Sequence, residues 1–328
     1  MYAHRSQQIF WTAHTAPLSS QGEKPMMTAQ PPDVAIDADA FQADVVYLEA
    51  LFQRQVIGDR ELPLIDIGQG APLVFVPILE HLEFVYARQV RFFSQQRRVI
   101  LYRRHETRRY FTGMEQRAEE LRHLLNHLEI VSADFIAHGD GAMVLLEFAI
   151  RYPQRCRSLT IVAQGAEYQI QPHPWIWLLH ELYMRLPVEH ILPAAFLRRT
   201  VVNYIVARQA GLATFAQGEP LHILPRELIE DQFRKIKDWV AVYKFSVLPV
   251  IHRFDIRKRL KRLTMPVLLI NRFDDALAPE ARTHWLAGHL PNCAGYHVLP
   301  GGERFFLYSE AARVNPLIQS FLQREESQ

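Results

Sequence analysis

Two cysteines in 328 residues, Cys156 and Cys293, are too few and too far apart for a disulfide framework, which fits a reducing, cytoplasmic setting. No run reaches the roughly 18 uninterrupted apolar residues that a membrane-spanning helix requires. The densest stretch, residues 174–187, is interrupted by His180, Glu181 and Arg185. Residues 1–33 hold no apolar segment of the kind a secretory signal carries. Charge excess is missing too: a formal net charge of +2, with 22% charged residues, leaves no footprint for nucleic acid. The histidines fall at no metal-ligand spacing, so neither a metal nor another cofactor is expected. What remains is a soluble chain with 49% hydrophobic residues, enough for one large core with an inserted subdomain.

Organisation follows from the pattern of runs. Residues 1–35, rich in Ser, Thr, Gln and Pro, read as a disordered extension in which Met26 and Met27 offer other translation starts. From about residue 50, short β-type runs alternate with helical patterns, as in a sheet with crossover helices. The runs are 62–68, 72–78, 97–103, 133–138, 158–164, 266–272 and 294–300. The later ones are apolar without alternation, which predicts parallel strands covered on both faces. Residues 142–152 are apolar nearly all round and predict a central buried helix. A last helix is expected over 309–323, interrupted near Pro316. Residues 165–262 hold no convincing strand but helix-length patterns at 174–186, 188–209 and 226–247. The division is therefore 36–164 and 263–328 for the core, with 165–262 inserted as a helical cap.

The stretch "ADFIAHGDGAMVLLEFAIRYP" places a small residue, His138, Gly139, Asp140 and Gly141 between a strand and a buried helix. This resembles the nucleophile elbow of the α/β-hydrolase superfamily, with its Tyr-Pro pair after the helix. The resemblance spans about residues 50–325. It implies a mostly parallel sheet flanked by helices, with a helical cap over the strands' carboxyl ends. It also implies three functional positions. The acid falls on Asp275 in "NRFDDALAPE", beside Asp274; the nucleophile falls on Gly139; counting back from Val314-Asn315 puts the histidine position on Arg304, after Glu303. Two of the three side chains that the family uses are thus replaced. N-myc downstream-regulated proteins are family members with a comparable glycine elbow.

The chemical consequence is direct. Acyl-enzyme formation needs an oxygen or sulfur atom at the elbow and a base of near-neutral pKa. Glycine supplies no side-chain atom, and a guanidinium stays protonated and accepts no hydrogen bond. The acid and the replaced base are expected to form an Asp275–Arg304 ion pair, with Asp140 as Arg304's other candidate partner. Asp140 is read as a helix-start carboxylate, a carboxylate base or a relocated nucleophile. Glu80 and His81, with Leu79 before them, follow the run 72–78 where the family has its second oxyanion donor, and are candidate pocket residues with Glu303. Arg103, Arg104, Arg108 and Arg109 form a candidate rim for an anionic ligand or an acidic carrier protein, supported by the basic run 257–263. Three functional readings stand: a pseudohydrolase that binds a small-molecule ligand or a partner; a lyase, cyclase or isomerase working by acid–base groups; and a hydrolase with an atypical nucleophile.

Overall fold

The computed structural model describes residues 33–58, 60–168, 174–206, 220–252 and 254–327. Eight strands form its central sheet: β1 Gln53–Ile57, β2 Arg60–Ile67, β3 Pro72–Val76, β4 Arg98–Tyr102, β5 Ala133–His138, β6 Cys156–Val162, β7 Val267–Arg272 and β8 Cys293–Leu299. Their order is β8-β7-β6-β5-β3-β4-β2-β1. From β8 through β4 every pairing is parallel, while β2 and β1 add antiparallel ribbons at one edge. The non-alternating runs have the reason the sequence suggested. In β3, Leu73 and Phe75 pack into the cluster on one face and Val74 and Val76 into that on the other, all at most 1% exposed.

Helices cover both faces: α1 Ala38–Leu51, α2 Ala87–Phe93, α3 Met114–His127, α4 Gly139–Arg151, and further on α8 and α9 below. Helix α1 starts where the Asp37 carboxylate accepts from Ala40 N at 2.9 Å, satisfying a free amide of its first turn. Neither α1 nor β1 is anticipated from the sequence runs. Val34 and Ala35, placed by the sequence reading in the disordered extension, pair in parallel with His222 and Ile223; residues 1–32 of that extension lie outside the described residues.

Between β6 and β7 lie α5 Pro174–Arg185, α6 Ala194–Val206, α7 Arg226–Lys235 and a helical segment over 239–251. That last segment contains a π turn, Tyr243–Val247, between two α turns. After β7 come α8 Glu280–His289 and α9 Ala311–Glu326. The expected break at Pro316 does not occur, and α9 runs through it. Proline so near a helix start sacrifices one backbone hydrogen bond, and burial of Val314, Ile318, Phe321 and Leu322 along the same helix outweighs it. Among the described residues no helix is long and apolar enough to cross a membrane.

Candidate functional site at the β5–α4 elbow

Strand β5 is buried along its whole length and turns into α4 at Gly139, whose φ is +56°. A side chain rarely adopts this left-handed conformation, and glycine carries it without a Cβ penalty. Gly141 is required for another reason. A Cβ there would lie 2.7 Å from Val76 O and 2.9 Å from Pro77 O, so only glycine lets the first turn of α4 approach the end of β3. The elbow is therefore retained in backbone terms.

What faces it is an arginine. A Cβ placed on Gly139 would sit 3.4 Å from Arg304 Nη2 and 3.9 Å from its Nε. Arg304 Nη1 donates to both oxygens of Asp275, at 2.8 and 2.9 Å, and its Nη2 donates to Ala163 O at 3.0 Å. The expected Asp275–Arg304 pair is formed, with Asp275 fully buried and Arg304 6% exposed. Asp275 also accepts from Leu277 N and Ala278 N, both at 2.8 Å, and from Arg272 Nε at 3.4 Å. Burial pushes its carboxyl up, but Arg304, Arg272 and these backbone amides outweigh that and hold it below the usual range.

His138, which precedes the elbow, was missed as a site residue. Its Nε2 lies 2.8 Å from the Arg304 carbonyl, and a carbonyl only accepts, so Nε2 carries the proton. Nδ1 is then a bare acceptor, buried and without a partner among the described residues. Burial, reinforced by the neighbouring Arg304 charge, depresses the imidazole to about 3. It is a neutral side chain at any ordinary pH.

Asp140 is not Arg304's partner. Its Oδ2 accepts from Arg104 Nη1 at 2.7 Å, and Arg104 in turn donates to Glu106 at 2.7 Å. Glu106 is shared with Arg117, and Arg117 reaches Ser246 Oγ at 2.7 Å. This buried chain of charges ties the elbow to the β4 loop and to the π turn of the cap.

The candidate anion rim needs correction. Arg104 is buried rather than on a rim. Arg103 is held by Glu83 at 2.9 Å and Glu49 at 2.6 Å, and Arg108 by Glu80 at 2.7 Å. Three of the four cations are thus spent on carboxylates that lie elsewhere in the sequence. Arg109 is exposed. In the second basic run, Arg257 binds Asp255 and Glu167, and Arg259 binds Glu147. The pocket candidates divide likewise. Leu79, Gly139, Asp140 and Arg304 line a common cavity; Glu80, His81 and Glu303 do not. Burial raises Glu80 and lowers His81, whose φ is +67°. Glu303 is buried against Ser309 and Leu224 N, and burial lifts its carboxyl to about 7. Asp275 stands behind Arg304 rather than on the wall.

The cavity measures about 130 Å³. That is close to the roughly 150 Å³ of an apolar cavity known to take a benzene-sized guest. Ile78, Leu79, Leu82 and Phe305 form its core side, and Val201, Ile205, Phe233 and Trp239 its cap side. Trp239, Tyr243, Val247 and Ile251 all face it at four-residue spacing. In a regular α-helix each such step drifts by about 40°, roughly 120° over three steps. The extra residue of the π turn cancels most of this drift, which keeps the four side chains on one wall. That spacing was a readable signal in the sequence. Polar groups are few: Asp140, Arg304, His138 and the tyrosines at 168, 204 and 243. Among the described residues no cluster of His, Cys, Asp or Glu could hold a metal.

No family model matches the chain. A protein of Pantoea ananatis (strain LMG 20103) named "Putative carbamate hydrolase RutD" is 25% identical over 224 residues, covering 65% of this chain and 72% of that one. A thermophilic esterase from Thermogutta terrifontis, solved with malate bound, superposes with a TM-score of 0.67 at 19% identity, over 83% of this chain and 99% of the esterase. The enol-lactonase of Burkholderia xenovorans LB400 gives a TM-score of 0.64, also at 19% identity, over 83% of this chain and all of that one. The sheet order and these likenesses define the class: the chain has the α/β-hydrolase fold. Its named relatives are hydrolase-like proteins.

Proposed function

We propose that the protein uses the elbow cavity to bind a small, mostly apolar ligand bearing one acceptor group, and that it forms no acyl-enzyme. The observation that carries this reading is the guanidinium of Arg304, locked by Asp275 and set 3.4 Å from where an elbow side chain would begin. A group that never loses its proton cannot activate an attacking hydroxyl, and Gly139 offers none. Arg304 retains N–H groups on Nε and Nη2 that have no hydrogen-bond partner among the described residues. They suit a carbonyl or carboxylate oxygen brought into an otherwise apolar space.

The relatives' names support a second reading, hydrolysis of a carbamate-like acyl compound without a covalent intermediate. Asp140 lines the cavity and would be the base for an attacking water, with Arg304 opposing the oxyanion. One experiment separates the two. Nitrophenyl ester and carbamate substrates are assayed with the wild type and Asp140→Asn, alongside native mass spectrometry of the purified protein. Binding alone predicts turnover at the uncatalysed rate and a co-purifying small molecule. Turnover that Asp140→Asn abolishes would overturn it in favour of water-based hydrolysis.

A further inference from the structure

Trp239 has a second face. Beyond it lies a groove of about 760 Å³, bounded by Arg108 and Arg109, by His190 and Arg198, and by residues 236–245. Its charges do not balance. Glu189 is taken by Lys244 at 2.6 Å; Asp238 lies 3.6 Å from Arg108, which also holds Glu80. Two guanidiniums are left over, on Arg109 and Arg198. Arg109 is exposed and Arg198 half-buried. An oxyanion is the ligand that meets an unpaired guanidinium with both charge and fork geometry. The rest of the lining is apolar, with Leu192, Ile236 and Phe245 beside the indole of Trp239.

We propose that this groove is a binding site for a small organic oxyanion, a carboxylate or phosphate monoester whose body lies on the Leu192–Phe245 floor. Arg198 and Arg109 hold its charged end. The site is distinct from the elbow cavity and shares only the Trp239 partition with it.

Calorimetric titration of the full chain with phenyl phosphate, benzoate and inorganic phosphate tests this. Phenyl phosphate or benzoate is expected to bind saturably and more tightly than inorganic phosphate, which lacks the apolar body. Affinity for the organic anion should fall at least about tenfold in Arg198→Gln and in the exposed Arg109→Gln, the loss of a charge-assisted pair. Arg198→Lys, which keeps the charge without the fork, should fall between, and Arg199→Gln, an exposed residue of the same helix that does not line the groove, should leave the affinity unchanged. Wild-type affinity in the Arg109→Gln, Arg198→Gln double variant would overturn the proposal, as would the absence of any organic-anion binding. A loss seen only in Arg304→Met would place the anion in the elbow cavity and overturn it too.

Discussion

Replacing Asp275 with asparagine removes a carboxylate that two buried guanidiniums share. Arg304 keeps Ala163 O, and Arg272 keeps the carbonyl of Gly302 and Asp274 at 3.5 Å, but both cations then face a neutral amide in the interior. Breaking a buried pair by neutralising one partner costs about 3–5 kcal/mol, and Asp275→Asn should fall at the upper end. Arg304→Met leaves Asp275 with Arg272 and two backbone amides, so the cost should sit at the lower end, near 3 kcal/mol. Because the residues are in contact, the double variant should lose less than the sum, with a coupling of about 1–3 kcal/mol. Urea unfolding of the four proteins, compared at unchanged slope, measures this. Additive losses below about 1 kcal/mol each, or Arg304→Met costing more than Asp275→Asn, would refute the claim that this pair anchors the elbow.

Gly139→Ala should cost about 1–2 kcal/mol, the strain of a left-handed residue with an open Cβ position, while Gly141→Ala should cost at least about 3 because its Cβ meets main-chain oxygens; chemical denaturation ranks them, and the reverse order would be a refutation. Gly139→Ser alone should stay inert to a fluorophosphonate probe, since Arg304 takes no proton, whereas Gly139→Ser with Arg304→His should be labelled, read by intact-mass spectrometry. His138 lowers stability as pH falls: its folded value is near 3 against an ordinary 6.5, so below about 6.5 the unfolded chain takes up a proton that the native one refuses. The slope approaches about 1.4 kcal/mol per pH unit, and His138→Gln should abolish it. Glu83 and Glu303, both lifted to about 7 by burial, act in the opposite sense: protonated when folded, they add stability as pH falls from about 7 toward 4.5. The His138 slope must therefore be read as wild type minus variant between pH 4 and 7.

The sheet was most legible in its central strands, 72–78, 133–138, 158–164 and 266–272, which are covered on both faces. Strand β1 was not: "QRQVI" is an edge strand with mostly exposed residues, so nothing in its pattern marks burial. The Asp275–Arg304 contact was legible through the family resemblance, which puts the acid loop and the position ahead of the final helix at the elbow. The arginines of the β4 loop were not. Arg103 meets Glu49 and Glu83, 54 and 20 residues away, and a local reading of "YRRHETRRY" sees the cations without their partners. Burial hid the role of Arg104 for the same reason.

The π turn at Tyr243–Val247 sets the rotational phase of the cavity's outer wall. Rewinding the same twelve residues into ordinary α geometry, with none deleted, would swing Trp239 by about 100° relative to Ile251, whereas deleting the extra residue would leave the two in phase. A substitution that favours the regular helix would thus turn one wall of the cavity and present other side chains while leaving the sheet untouched. In this fold, the lining of the cavity is adjustable by indexing one helical segment like a ratchet, without rebuilding the interior beneath it.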